Sequence, residues 1–344
     1  MRRRILFLVM SIAGASCHAA SPASDPGGNA AGPVDAGPGP SLMRDWASHP
    51  AIFTQTGARE IDVLGDLHGD LGAAVRILAA AGLVTPVSPF HWTGATATLV
   101  VVGDVIDKGM MATALIDLFM SLEDEARAAG GRVVVTLGNH EAEFLAEPTA
   151  SKSSVFQAEL RLLGLDPVKV ATGASRYGVW LLTRPVAALV DGWFFSHAGN
   201  SDGDTAAKLT TKFQTLFESK DAAGVPLVFS DSFLAGSNSL LEANLWWETS
   251  RGSTAEIDAD LVALPARHIV FGHEPGEVDF PDDRQGHRDR GTMVMRYEGR
   301  LFLVDVGMSS AVGYSSGALL RITRDGTERA TALYPDGTSR PLWP

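Results

Sequence analysis

The sequence predicts an α/β protein: a mostly parallel sheet and a later antiparallel portion, packed as two sheets flanked by helices, with a helical insertion. Three observations carry this. From about Ala58, strand-length apolar runs alternate with stretches of helical apolar spacing, the pattern of a parallel sheet. Five of those runs end in Gly-containing turns that carry Asp, Asn or His. From Met293 onward, short strands return, separated by Gly-containing turns.

The elements follow in order. Ile61-Asp62-Val63-Leu64 reads as a buried strand ending in Gly65-Asp66-Leu67-His68-Gly69-Asp70. Leu71 to Ala81 places Leu71, Val75, Leu78 and Ala79 at helical spacing, with Asp70 as its N-cap or as support for the turn. Thr98 to Val102 is a β-branched strand ending in Gly103-Asp104-Val105-Ile106-Asp107-Lys108-Gly109, followed by a helix from Met111 to Ala129 that stops at Gly130-Gly131. Arg132 to Leu137 is the next strand, and it ends in Gly138-Asn139-His140-Glu141. Two further turns are Ser196-His197-Ala198-Gly199 and Gly272-His273-Glu274. Between them, about 200–265, the pattern is helical and irregular. Ala207–Lys220 and Phe233–Trp247 are its best helices, and the stretch reads as an insertion or lid. The last strands are Met293–Tyr297, Leu301–Val306, Leu319–Thr323 and Arg329–Leu333, with turns at Glu298-Gly299, Asp325-Gly326 and Asp336-Gly337.

The chain opens differently. Arg2-Arg3-Arg4, an apolar run from Ile5 to Ala15 and a small-residue exit make residues 1–20 a secretory signal peptide. Residues 21–40, almost wholly Ser, Pro, Ala, Gly and Asp, read as a flexible linker, which leaves 41–344 as the folded domain. The expected destination is the periplasm of a bacterium or the medium. Cys17, the only cysteine, could instead anchor a lipoprotein, although Gly14 stands where such a signal usually has Leu. A formal charge of −12 argues against a nucleic-acid partner, which needs a basic footprint.

If the five turns converge, they offer Asp66, His68, Asp104, Asn139, His197 and His273. Oxygen and imidazole donors without thiolate suit Mn, Fe or Zn better than Ca or Mg. Six ligands exceed the needs of one such ion, whereas two ions sharing a bridging carboxylate use them naturally and can clamp phosphoryl oxygens for in-line attack. His140, next to Asn139, is placed to protonate a leaving alkoxide, with Asp107 orienting it; Lys108 adds positive charge for phosphate.

The set GDLHGD, GDVIDKG, LGNHE, FSHAG and FGHE resembles the calcineurin-like metallophosphoesterase superfamily, in particular its phosphoprotein phosphatase branch and the bacterial Shewanella-like phosphatases within it. Val304-Asp305-Val306-Gly307-Met308-Ser309-Ser310 resembles a C-terminal element of that subgroup, so the resemblance runs from about Glu60 to Leu320. It implies a four-layer α/β/β/α sandwich and phosphomonoester hydrolysis by metal-bound hydroxide. By position, it puts Asp66, His68 and Asp104 on one ion and Asp104, Asn139, His197 and His273 on the other. His140 with Asp107 becomes the general acid, Asn139 and Lys108 also meet phosphate, and the substrate is a phosphoprotein (Ser/Thr or Tyr) or a small phosphomonoester.

The chain departs from that pattern in places. Lys108 replaces an Arg, Ala198 a Gly, and Glu274 a Thr; Glu274 either orients His273 or faces solvent. Glu248 stands where the subgroup's lid Arg would be, so Arg251 and Arg176 are the candidates for a second phosphate-binding Arg. Glu141 reads as a structural partner within its turn, Asp305 as support for the metals or a capped strand end, and the pair Trp246-Trp247 as core. His49, His91, His268 and His287 lie outside the motifs and read as structural or surface groups, and Met110-Met111 as packing. Two other readings stand beside a phosphatase. One is a hydrolase of dinucleoside polyphosphates or nucleotides; the other is a non-catalytic metal- or phosphate-binding protein on the same scaffold.

Overall fold

The computed structural model describes residues 44–344, apart from 200, 202, 238, 245, 247–253 and 282. The expected signal peptide and linker, Cys17 and Arg251 lie outside the described residues. The first half of the described chain runs β1 (Ile52–Gln55), β2 (Glu60–Leu64), α1 (Leu71–Ala80), β3 (Thr98–Val101), α2 (Ala112–Ala128), β4 (Arg132–Val135), α3 (Asn139–Ala146), α4 (Ser154–Leu162), α5 (Pro167–Ala171) and α6 (Arg176–Leu182). The second half runs β5 (Ala187–Val190), β6 (Trp193–Ser196), α7 (Ala206–Glu218), α8 (Thr254–Ala263), β7 (His268–Phe271), β8 (Val278–Asp279) and β9 (His287–Arg288). It ends with β10 (Val294–Arg296), β11 (Leu301–Leu303), β12 (Leu319–Arg324), β13 (Glu328–Leu333) and β14 (Ser339–Trp343). Among the described residues no helix is long and apolar enough to cross a membrane.

Two six-stranded mixed sheets form, ordered β14-β13-β12-β2-β3-β4 and β1-β5-β6-β7-β11-β10. They share one continuous hydrophobic core, the expected α/β architecture. Each sheet contains three adjacent parallel strands: β2, β3 and β4 in one, β6, β7 and β11 in the other. Thr98, Leu99, Val100 and Val101 of β3 are all buried, as a central parallel strand covered on both faces must be. The motif turns lie at the carboxyl ends of these parallel strands, and there the two sheets are tied together. His197 Nδ1–H, beyond β6, donates to the Val102 carbonyl beyond β3 at 2.8 Å; His273 N–H, beyond β7, donates to Asp66 Oδ1 at 3.0 Å.

The structure corrects the reading of the insertion. Ala207–Lys220 is helical, as α7, but the described part of Phe233–Trp247 is turns. Gly236 sits at φ +99°, and the side chains of Asp231 and Ser239 accept from the backbone N–H groups of Phe233 and Glu242. Such local side-chain bonds compete with the helical ladder and win where a glycine already interrupts it. Two strands arise without the alternation that would have marked them, β1 at one sheet edge and β14 at the other. Pairing with β5 and β13 supplies what local propensity did not.

Candidate metal centre

The residues of the first four turns are buried at one place. Asp66, His68, Asp104, Asn139 and His197 have little or no exposure, and His140 and His273 are partly exposed at its rim. Glycines make the approach possible: a Cβ on Gly138 would lie 2.1 Å from Asp104 Oδ1, and one on Gly272 would lie 2.5 Å from Asp66 Oδ1. The backbone is held in the left-handed region at His68, Asp104, Asp107, Lys108 and His273, a conformation that costs energy for residues with a Cβ and that surrounding structure must enforce.

That enforcement is visible. Glu141 is fully buried, and its carboxylate accepts four backbone N–H bonds. Asp104 (2.9 Å) and Gly138 (2.8 Å) donate to Oε2, Val105 (2.8 Å) and Ile106 (3.0 Å) to Oε1. One side chain thereby fixes the turn bearing Asp104 and Asp107 against the turn bearing Asn139 and His140. Asp70 caps α1 through Ala73 N–H at 2.8 Å and also accepts from Ser310 N–H at 2.8 Å, docking the Val304–Ser310 segment on the first motif. Glu274 neither orients His273 nor faces free into solvent: it accepts from Gly276 N–H at 2.7 Å and closes its own turn.

Around Asp104 the donors crowd. Its Oδ2 lies 3.7 Å from His68 Nε2 and 3.9 Å from His140 Nε2, and its Oδ1 lies 3.4 Å from His197 Nε2. His68 Nε2 is also 3.7 Å from Asp66 Oδ2. His197 Nε2 faces Asn139 Oδ1 at 3.0 Å and His273 Nδ1 at 3.2 Å. Two triplets, His68/Asp104/His140 and Asp66/Asp104/His197, each present ligand atoms within 4.8 Å of one another, and both include Asp104.

The electrostatics fit a cation. Burial raises the Asp66 carboxyl well above the usual range, and neighbouring Asp305 raises it further. Burial likewise lifts Asp305 to about 6; its Oδ1 accepts from Gly307 N–H at 2.8 Å, while Oδ2 is buried without a partner. Burial would lower His197, but Asp104 and Asp66 outweigh it and push the imidazole up to about 10. Two facing carboxyls and an imidazole held as their counter-ion are what a site built for divalent metal looks like when a proton takes the metal's role. Two surface cavities, of about 310 and about 540 Å³, have none of these residues in their linings, so donor chemistry rather than volume locates the centre.

His140 Nδ1 lies 3.3 Å from Asp107 Oδ2, and Asp107 Oδ1 accepts from the N–H groups of Val155 and Phe156 at the start of α4, both at 3.1 Å. Burial would lower His140, but the Asp104 and Asp107 carboxylates outweigh it and hold the imidazole above its ordinary value. Lys108 is exposed, and its ammonium donates to His68 Nε2 at 2.8 Å. The Arg176 guanidinium donates to Asp117 and to the Tyr177 hydroxyl, both at 2.8 Å, at the start of α6. So engaged on the surface, it ties α6 to α2.

The motif departures have local reasons. Ala198 fits because only Gly199 meets a wall: a Cβ there would lie 2.5 Å from Trp246. Trp246 is core, edge-on to Phe271 at 5.7 Å with its indole N–H on Asp260 at 2.8 Å. Two supporting residues escaped the motif reading. Arg288 is fully buried and donates to the carbonyls of Glu274 (2.9 Å) and Thr292 (2.7 Å) as well as those of Gly276 and Asp305, bracing the His273 turn. Glu143 accepts from Asn139 Nδ2 at 3.3 Å. An i, i+4 spacing on a helix was its signal; Arg288 had none.

Residues 60–277 match the family model of the calcineurin-like phosphoesterases. The chain belongs to that family. A calcineurin-like phosphoesterase is a metal-dependent hydrolase of phosphoric esters, and the buried His/Asp cluster is the place for divalent metal. An uncharacterized protein of Schizosaccharomyces pombe is 30% identical over 285 residues, covering 77% of each chain. Shewanella-like protein phosphatase 2 of Arabidopsis thaliana is 40% identical over 78 residues, 23% of this chain and 19% of that protein. Among solved structures, the cold-active protein-tyrosine phosphatase of a psychrophilic Shewanella species superimposes with a TM-score of 0.63 at 20% identity, covering 85% of this chain and 83% of that one. At that identity the likeness establishes the fold.

Proposed function

We propose that this calcineurin-like phosphoesterase is an exported binuclear-metal phosphatase acting on phosphomonoesters, with phosphoprotein side chains as the favoured substrates. The observation that carries the reading is the pair of donor triplets that share Asp104, as a carboxylate serving two cations would. By the family resemblance, Asp66, His68 and Asp104 would hold one ion and Asp104, Asn139, His197 and His273 the other, whereas the triplets themselves group His68 with His140 and Asp66 with His197. Mn, Fe or Zn fits this mixture of carboxylate, amide and imidazole. Bound there, the ions supply an acidified water and positive charge for the phosphoryl oxygens.

The chain's own groups supply the rest. His140 donates a proton to the departing alkoxide oxygen: Asp107 keeps the imidazole in place, and the Asp104 and Asp107 carboxylates raise its affinity for the proton. Lys108 stands at the rim as a point charge for phosphate, and its contact with His68 Nε2 would have to open for His68 to hold a cation through that nitrogen. Arg251 remains the candidate for a second cationic contact. Export rests on the N-terminal charge and hydropathy pattern alone, and substrate preference rests on the likeness to protein phosphatases.

The experiment is a panel assay. Protein beginning at residue 21 is incubated with Mn²⁺ and offered p-nitrophenyl phosphate, phosphotyrosine and phosphoserine peptides, and a diadenosine polyphosphate. Turnover of the phosphomonoesters is the expected result. Turnover of the dinucleotide alone would replace the substrate assignment, and no turnover with Mn²⁺, Fe²⁺ or Zn²⁺ would leave a binding protein.

A further inference from the structure

We infer that Glu143 is a positioning residue for Asn139: it decides which end of the side-chain amide faces the metal cluster, and the insertion holds it there. The inference rests on the reading of Asn139 as a ligand. An Asn side chain has nearly the same shape when its amide is turned over, but only Oδ1 can ligate a cation. Asn139 Nδ2 donates to Glu143 Oε1 at 3.3 Å, and Oδ1 thereby faces His197 Nε2 at 3.0 Å. Glu143 Oε1, which also accepts from Lys152, has no donor to offer Oδ1, so the reversed amide would lose this bond and turn its NH₂ toward the cluster.

Glu143 is itself clamped from outside α3. Lys152, between α3 and α4, donates to Glu143 Oε1 and lies 3.5 Å from Glu242 Oε1 in the insertion. Glu242 is seated by Gly236 N–H, which donates to its Oε2 at 2.6 Å. Its neighbours Leu240 and Ala243 offer their carbonyls to the N–H groups of Ala198 (3.3 Å) and Gly199 (3.0 Å), in the turn that carries His197. One short stretch of the insertion thus reaches two ligands of the same ion, His197 through backbone and Asn139 through Lys152 and Glu143. The insertion at this point is a fastened wall of the centre.

The test is metal retention by the Mn²⁺-loaded full chain against a graded chelator, with thermal melting as a check on folding. Glu143→Met keeps length and helix propensity but offers no acceptor, and it should weaken Mn²⁺ retention about 10- to 100-fold. Glu143→Gln, whose amide oxygen can still accept from Nδ2, should recover most of the loss. Lys152→Ala frees the carboxylate without touching α3 packing; it should shift retention in the same direction by less. Wild-type retention in folded Glu143→Met, alongside weakened retention in Asn139→Ala, overturns the inference alone. Wild-type retention in both variants overturns the ligand assignment of Asn139 and the inference with it. If Glu143→Met does not fold, wild-type retention in Lys152→Ala overturns it instead.

Discussion

Replacing Glu141 by Gln tests whether the centre is assembled by one buried carboxylate. In the native turn Oε2 takes the N–H groups of Asp104 and Gly138, and Oε1 those of Val105 and Ile106. A glutamine in the same rotamer has one oxygen, so whichever way the amide lies, one pair of donors keeps its acceptor. The other pair then faces an NH₂ group. Two buried N–H donors are left unsatisfied at about 1–3 kcal/mol each, a loss of about 2–6 kcal/mol before the missing charge on the surviving bonds is counted. For a chain of this size, that corresponds to a fall in Tm of about 4–12 °C. The assay is thermal and urea unfolding with saturating Mn²⁺, alongside metal content. Metal loss should accompany destabilisation, because the freed donors belong to the turns of Asp104 and Asn139. A variant within about 0.5 kcal/mol of wild type, with full metal content, would refute the clamp; that is the range of an ordinary surface change.

The other predictions concern the chemistry directly. His140→Asn should lower kcat about 100- to 10,000-fold while metal content stays at the wild-type level, since an acid is lost and no ligand; loss of metal would instead make His140 a ligand of the triplet it shares with His68 and Asp104. Asp104→Asn should lose both metal and turnover, because both triplets use that carboxylate. In the metal-free protein His197, raised to about 10, carries a proton at neutral pH. Its folded value exceeds the unfolded one of about 6.5, so its contribution to metal-free stability is full below that pH and is lost as pH rises through about 10. Between pH 6.5 and 8, Mn²⁺ must therefore displace at least one proton and bind more tightly as pH rises. Calorimetric titrations in buffers of different ionisation heat would read that proton, and a buffer-independent heat would contradict the assignment.

The sequence by itself determined the inventory of the centre. Short-range rules were enough to see that Asp66, His68, Asp104, Asn139, His140, His197 and His273 all sit on turns that end apolar strands, and that Asp70 caps the helix after the first. They also located α1, α2 and α7 within one or two residues, because those segments carry their own periodicity. What only tertiary structure decided was everything that depends on pairing across long chain separations. The edge strands β1 and β14 exist because β5 and β13 offer ladders. The described residues of 231–244 form turns and bends because local side-chain bonds win over helical spacing. Arg176 lies with Asp117 because α6 packs on α2. The same holds for support: Glu159, whose carboxylate takes the N–H groups of Ala112 and Thr113 at the start of α2, acts on backbone tens of residues away, and Arg288 gathers the carbonyls of Glu274, Gly276, Thr292 and Asp305 from separate turns. A ligand announces itself by residue type and the glycine beside it. A brace is known only by what the folded chain brings against it, because its partners are main-chain groups that every residue carries.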